Sequence, residues 1–224
     1  MHELTQDEMD IIDKIKHNII KPDEYEYFSQ LCKPCLDVIN GGFHHQQNRE
    51  RQLFLFLLGK ITQSIIQVGF GFGYETLMFL IANNTSKIYC FNETMDSTTL
   101  TNFTYLSSVF PDRLVLLLGD PDVTIKAFDK LDKNGIRKVD LIYMNVNFTI
   151  DMFESCYNIA NFGCLFVENT PYGTFNWNKV TRKSVYDISE NRPHSHSIGI
   201  IRRVLTDEDH RYLLEKYITE NNLE

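Results

Sequence analysis

The strongest constraint on the fold is a change of rhythm at residue 64. From there, short apolar runs at 64–68, 87–91, 114–118, 139–146 and 163–167 alternate with segments of helical periodicity. Each run is mostly apolar and short, the pattern of a parallel strand buried on both faces. Between them, Leu100, Phe103, Leu106 and Val109-Phe110 recur at i, i+3 spacing. Asp120-Pro121 offers a helix cap followed by a proline in the first helical position. Strands alternating with helices predict a doubly wound α/β sheet with right-handed crossovers.

The flanks read differently. Leu4, Met9, Ile11, Ile12, Ile15, Ile19 and Ile20 lie at loosely helical spacing, and Pro22 ends that run. A second helical stretch, 25–38, runs into the turn signal Asn40-Gly41-Gly42, and a third, 49–58, is expected to stop at Gly59. Beyond residue 167 the Ile-rich segment 195–204 reads as a strand, with 184–188 either pairing with it or forming a short helix. Thr206-Asp207-Glu208-Asp209 resembles a capping box ahead of the apolar face Leu213, Leu214, Tyr217 and Ile218. The predicted architecture is a Rossmann-like, mostly parallel seven-stranded sheet with an antiparallel final strand, plus N-terminal helices and a C-terminal helix. It divides into a helical cap or lid (1–60), an α/β domain (61–205) and the terminal helix (206–224).

Composition narrows the function classes. A chain of 224 residues can bury a sizeable core without staples. Its net charge of -8 lacks the basic footprint that general nucleic-acid binding needs. The longest apolar run, 53–58, falls far short of a membrane span, and the polar N-terminus lacks the apolar core of a signal peptide. Five cysteines, an odd number, fit reduced thiols and a cytoplasmic location. Cys32-Lys33-Pro34-Cys35 is an isolated C-x-x-C, with no second pair for zinc and no preceding strand, so two small core or loop residues are expected. The sequons at Asn83, Asn92, Asn102 and Asn147 are expected to be unmodified.

The most informative segment is Val68-Gly69-Phe70-Gly71-Phe72-Gly73-Tyr74-Glu75-Thr76, which joins the first strand of the alternation to its first helix. Glycines there let the backbone turn sharply and approach a ligand, while the helix start offers unpaired N–H groups. Ligands of open α/β sheets bind beyond the carboxyl ends of the strands. The dinucleotide pattern G-x-G-x-x-G would need a third glycine at position 74, which is Tyr74, so NAD is disfavoured. There is no G-x-x-x-x-G-K-[ST] for a P-loop. The simplest competing reading is a tight turn that serves only helix–strand packing.

On these residues the chain resembles the class I S-adenosylmethionine-dependent methyltransferases, and among them the small-molecule O-methyltransferases of the macrocin and catechol types. The resemblance spans residues 50–204. Gly69, Gly71 and Gly73 correspond to the family's cofactor loop, and Lys87 through Asn92-Glu93 to its second strand, which ends in an acid for the ribose hydroxyls. Phe110-Pro111-Asp112-Arg113-Leu114 through Gly119-Asp120 corresponds to the third strand and the Gly-Asp pair that meets adenine. Asp140 through Asn145 and Gly163 through Thr170 correspond to the fourth and fifth strands. The cofactor-binding set this implies is Gln67, Gly69, Gly71, Gly73, Thr76, Asn92, Glu93, Gly119, Asp120 and Asn145.

At Gln67, Asn92 and Asn145 the chain carries amides where the family pattern has carboxylates. Gln67 stands where an acid usually precedes the first glycine, and the ribose-binding acid falls at Asn92, with Glu93 one place later. The metal positions of metal-dependent members fall at Asn145, Glu168 and Asn169, and the nearby histidine position at Phe148. One carboxylate and two amides suit magnesium poorly, so a divalent metal is doubtful.

Methyl transfer to oxygen requires alignment of the nucleophile and removal of its proton. Glu168, at the end of the fifth strand, is the first candidate base, with a helix cap or surface acid as the alternative. His44 and His45, in the polar loop 41–47, are further candidates, with an exposed loop pair as the alternative. His194 and His196 carry less weight. Segment 170–177, which holds Trp177, reads either as a hinged lid over the substrate or as a loop anchored by aromatics. The expected function is S-adenosylmethionine-dependent methyl transfer to a hydroxyl of a small acceptor, a sugar or a phenol. The alternative is a catalytically inactive methyltransferase-like binding or scaffold protein. A homo-oligomer is compatible with the sequence, and no membrane partner is expected.

Overall fold

The computed structural model describes residues 22–36, 38–39, 49–131, 139–146, 149–169, 185–187 and 196–201. Two helices, α1 (Pro22–Leu36) and α2 (Arg49–Ile61), precede the alternation. It then runs β1 (Ser64–Val68), α3 (Tyr74–Ala82), β2 (Lys87–Asn92), α4 (Ser97–Val109) and β3 (Leu114–Leu118). It continues with α5 (Pro121–Leu131), β4 (Val139–Met144), α6 (Ile150–Ile159) and β5 (Ala160–Asn169). Two short strands, β6 (Val185–Asp187) and β7 (His196–Ile201), lie beyond.

Strands β1 to β5 form a parallel sheet in the order β3-β2-β1-β4-β5. The chain moves outward from β1 to β3, then returns to lay β4 on the other side of β1. Strands β1 and β4 therefore flank the switch point where open α/β sheets bind ligands. Along the outer edge of β5, β7 runs antiparallel, from Cys164 opposite Ile201 to Asn169 opposite His196, and β6 pairs antiparallel with β7.

The central strands are buried on both faces because helices cover both. Ile65 and Tyr143 pack with Leu55, Leu58, Leu77 and Phe79 on the α2–α3 side. Ile66, Phe91 and Phe166 pack with Ile125, Phe128 and Phe153 on the α5–α6 side. Each such side chain contributes about 1.5–3 kcal/mol when fully buried.

Several local expectations need correction. Helix α2 does not stop at Gly59 but continues to Ile61. A Cβ on Gly59 would lie 2.8 Å from Ala82 Cβ and 2.9 Å from Phe79 Cα, so this glycine lets α2 press against α3. The buried face of α4 only partly follows the stripe read from spacing: Leu106, Phe103 and Phe110 pack on the core. Leu100 and Val109 are exposed, whereas Thr99, Asn102 and Leu106 are buried with Phe103 partly so. Strand β3 is only half-buried, because it is the edge of the sheet.

Boundaries shift as well. Pro22 opens α1, which ends at Leu36. Strand β5 begins at Ala160, directly after α6, and its pairing with β4 slips between Val139 and Leu141. Cys32 and Cys35 are core residues on α1 rather than loop residues, both buried, and the Tyr105 hydroxyl lies 3.9 Å from Cys35 Sγ. The expected helices in 1–21 and 206–224, His44 and His45, Phe148, and the 170–177 loop lie outside the described residues.

Candidate functional site

The carboxyl ends of β1, β2, β3 and β4 converge on the glycine turn. Gly69, Gly71 and Gly73 have φ of 84, 57 and 89°, left-handed values that side-chain-bearing residues rarely adopt. Space is restricted too. A Cβ on Gly69 would fall 2.7 Å from Val146 Cγ1, and one on Gly73 would fall 2.6 Å from Phe70 Cζ. Gly71 differs: it is exposed, and a Cβ there would meet only Asn145 Nδ2, at 3.3 Å. Its open side faces away from the core, so a ligand can approach that backbone closely.

The turn is held from below, from beside and from above. Below it, Gln67 is fully buried. Its Nε2 donates to the Gly69 carbonyl at 3.1 Å, and its Oε1 accepts from the Thr76 hydroxyl at 2.7 Å. Beside Gln67 on the neighbouring strand β2 is Cys90, whose thiol burial pushes up to about 12, the Thr76 hydrogen bond acting in the opposite sense. Beside the turn, the Phe70 N–H donates to Asn92 Oδ1 at 2.9 Å, and Asn92 Nδ2 donates to the Thr94 carbonyl. Above it, the α4 residue Asn102 donates through Nδ2 to the Phe72 carbonyl at 3.1 Å. The Phe70 ring fills the space beneath Gly73 and meets Phe103 edge-on, with ring centroids 5.4 Å apart.

Neighbouring turns join the same cluster. The Gly69 N–H donates to the Phe91 carbonyl at 2.9 Å, and the Asn145 N–H donates to the Val68 carbonyl at 2.8 Å. Gly119, at φ 128°, donates its N–H to the Asn92 carbonyl at 3.0 Å. Asp120 caps α5, its Oδ1 accepting from the Asp122 N–H at 2.9 Å. Glu93 is exposed just past β2. Asp96 caps α4, and the Thr99 N–H that it binds at 2.7 Å holds its carboxyl below the ordinary value.

Of the residues singled out from sequence, the described structure places Gly69, Gly71, Gly73, Asn92, Glu93, Gly119, Asp120 and Asn145 in the turns at the carboxyl ends of β1 to β4, with Gln67 and Thr76 buried beneath the first of them. Glu168 lies at the carboxyl end of β5, its backbone opposite Met144 of β4 and Ser197 of β7. Among the described residues no group of three or more His, Cys, Asp or Glu side chains is arranged to hold a metal. No helix among them is long and apolar enough to cross a membrane.

Two supporting residues escaped the sequence reading. In the sequence Phe70 reads only as part of the glycine turn, and Asn102 only as part of a sequon. The sequence signal for Asn102 is weak: it lies off the apolar stripe, four residues before Leu106.

No family profile and no curated protein matches the chain by sequence. Solved structures do match it in three dimensions. A methyltransferase from Geobacter sulfurreducens superposes with a TM-score of 0.59 at 18% identity, covering 83% of this chain and 98% of that one. The O-methyltransferase from Bacillus cereus, in complex with SAH, gives 0.54 at 13% identity, covering 82% and 93%. The O-methyltransferase TomG from Streptomyces achromogenes, involved in tomaymycin synthesis and in complex with SAM, gives 0.54 at 13%, covering 89% and 100%. The chain thus has the α/β Rossmann-like methyltransferase fold, built on a five-stranded parallel sheet.

Proposed function

We propose that this chain is an S-adenosylmethionine-dependent methyltransferase that methylates a hydroxyl of a small molecule, a sugar or a phenol. The observation that carries this reading is the left-handed Gly69–Gly71–Gly73 turn, open at Gly71 and seated at the switch point between β1 and β4. Support comes from the shared fold, whose Bacillus cereus and Streptomyces achromogenes examples were solved with SAH and SAM. The same reading takes the sheet as seven-stranded with an antiparallel last strand, and the protein as cytoplasmic.

The cofactor would supply an electrophilic methyl group on a sulfonium. Gly69, Gly71 and Gly73 would offer backbone to it, with Glu93 on the ribose side, Gly119 and Asp120 beside adenine, and Asn145 at the end of β4. Gln67 and Thr76 would hold the turn from beneath. Glu168 would accept the acceptor's proton, since it lies in the last residues of β5, the strand beside β4. His44 and His45 are the other candidate bases. No role is assigned to a divalent metal, because Asn145, Glu168 and Asn169 offer a single carboxylate.

The test is calorimetric and thermal-shift titration with S-adenosylmethionine and S-adenosylhomocysteine, with NAD as control and with magnesium present or absent. At a hundredfold excess over Kd, a ligand that binds only the native state stabilises it by about 2.7 kcal/mol. Saturable binding that disappears in Gly71→Arg is the expected outcome. Absence of any shift at millimolar ligand would sink the reading.

A further inference from the structure

Asn92 holds an unusual number of connections for one residue at a strand end. Its Oδ1 accepts from the Phe70 N–H of the glycine turn at 2.9 Å. Its Nδ2 donates to the Thr94 carbonyl in the turn after β2. Its backbone carbonyl accepts from the Gly119 N–H in the turn after β3, at 3.0 Å. One residue thus ties together the turns that follow β1, β2 and β3. We infer that Asn92 is a positioning residue that sets the shape of the glycine turn, and not a ligand of the cofactor ribose.

The chemistry of the amide supports this. A carboxylate accepts hydrogen bonds only, so it could take the Phe70 N–H but would face the Thr94 carbonyl as a second acceptor. Gln67 repeats the logic beneath the same turn, where its Nε2 donates to the Gly69 carbonyl. At both positions the amide donates a bond to backbone that the corresponding ionised carboxylate could not donate. The exchange of acid for amide is therefore a different way of holding the loop, with the Asn92 oxygen directed at protein backbone. Contact with the ribose falls to neighbouring groups, of which Glu93 is the exposed carboxylate.

This inference rests on the S-adenosyl reading for its ligand, so one arm of the test needs no ligand. In hydrogen exchange on the free full-length chain, Asn92→Ser should speed exchange of the Phe70 amide by about tenfold or more while β1 and β4 amides keep their protection. Unchanged exchange at Phe70 would overturn the inference. The second arm is calorimetry of S-adenosylhomocysteine and its 2′-deoxy and 3′-deoxy forms with wild type, Asn92→Ser and Asn92→Asp. A positioning role predicts that each variant binds all of these ligands more weakly by one common factor, about tenfold. Tighter binding of S-adenosylhomocysteine by Asn92→Asp, with the gain lost on the deoxy forms, would make position 92 a ribose ligand and overturn the inference. If wild type binds none of them, the S-adenosyl reading has failed, and amide exchange alone decides the role of Asn92.

Discussion

The Thr76 hydroxyl donates to Gln67 Oε1 across 2.7 Å, and the same Gln67 side chain donates to the Gly69 carbonyl at 3.1 Å. A strand residue, a helix residue and the glycine turn between them are thereby joined inside the core, where both side chains are fully buried. In such a place an unmet polar group costs more than the bond contributes.

Gln67→Glu is the sharpest probe of that pair. It restores the acid common at this position in the resembled family, yet it removes the donor to Gly69 and buries an acceptor against an acceptor. The expected loss is about 3 kcal/mol of stability, read by urea unfolding. Thr76→Val, which removes the hydroxyl that donates to Gln67 Oε1, should cost about 1–2 kcal/mol. Equal stability of Gln67→Glu and wild type at pH 7 would refute this account.

Gly59→Ala tests the crossing of α2 and α3. Alanine improves helix propensity by about 1 kcal/mol, but its Cβ would sit 2.8 Å from Ala82 Cβ and 2.9 Å from Phe79 Cα. The second contact is backbone and cannot rotate away, so the helices must separate. A net destabilisation of about 1–3 kcal/mol is expected in denaturant melts. A more stable Gly59→Ala protein would mean that the helices are not in such close contact.

Arg113 satisfies the end of α3. Its guanidinium donates to the Leu80 carbonyl at 2.8 Å, to the Asn83 carbonyl, and to the Ser86 carbonyl and hydroxyl at 2.9 Å each. Its planar fork serves several acceptors at once, which an ammonium group cannot reproduce. Arg113→Met should cost about 2–3 kcal/mol, with Arg113→Lys recovering only part of it. Full recovery by lysine would show that charge alone matters there.

The buried thiols set an alkaline limit. Burial pushes Cys32 and Cys90 up to about 12, and pushes Cys156 up as well. An unfolded thiol loses its proton near about 8.5, so these groups add stability that is complete below that pH and declines as pH rises towards 12. Stability should therefore fall above about pH 9. Native protein at pH 8 should leave the Cys32, Cys90 and Cys156 peptides unalkylated until denaturant is added, as read by mass spectrometry. Rapid native labelling of Cys90 would contradict its burial.

The alternation of strand and helix was legible because it depends on local spacing. A strand covered on both faces must be a short apolar run, and a G-x-G-x-G turn between strand and helix follows from backbone sterics alone. Asp120 before Pro121 announced a helix start for the same local reason, and α5 begins there. The order β3-β2-β1-β4-β5 was not legible in the same way, because right-handed crossovers are shared by several strand orders and do not choose among them.

Other features needed the assembled chain, because their partners are far away in sequence. Asn92 finds Phe70 across 22 positions and Asn102 finds Phe72 across 30, distances at which no periodicity carries information. Gly59 looked like a helix stop until the close approach of α3 gave it a reason to be inside a helix. On α4 the apolar stripe and the buried face coincide only at Phe103, Leu106 and Phe110, because the helix turns Asn102 and Thr99 inward and leaves Leu100 and Val109 exposed. Local sterics and hydrophobic period specify which elements form. Packing and hydrogen bonds between remote segments specify which faces they bury and which amides hold the glycine turn.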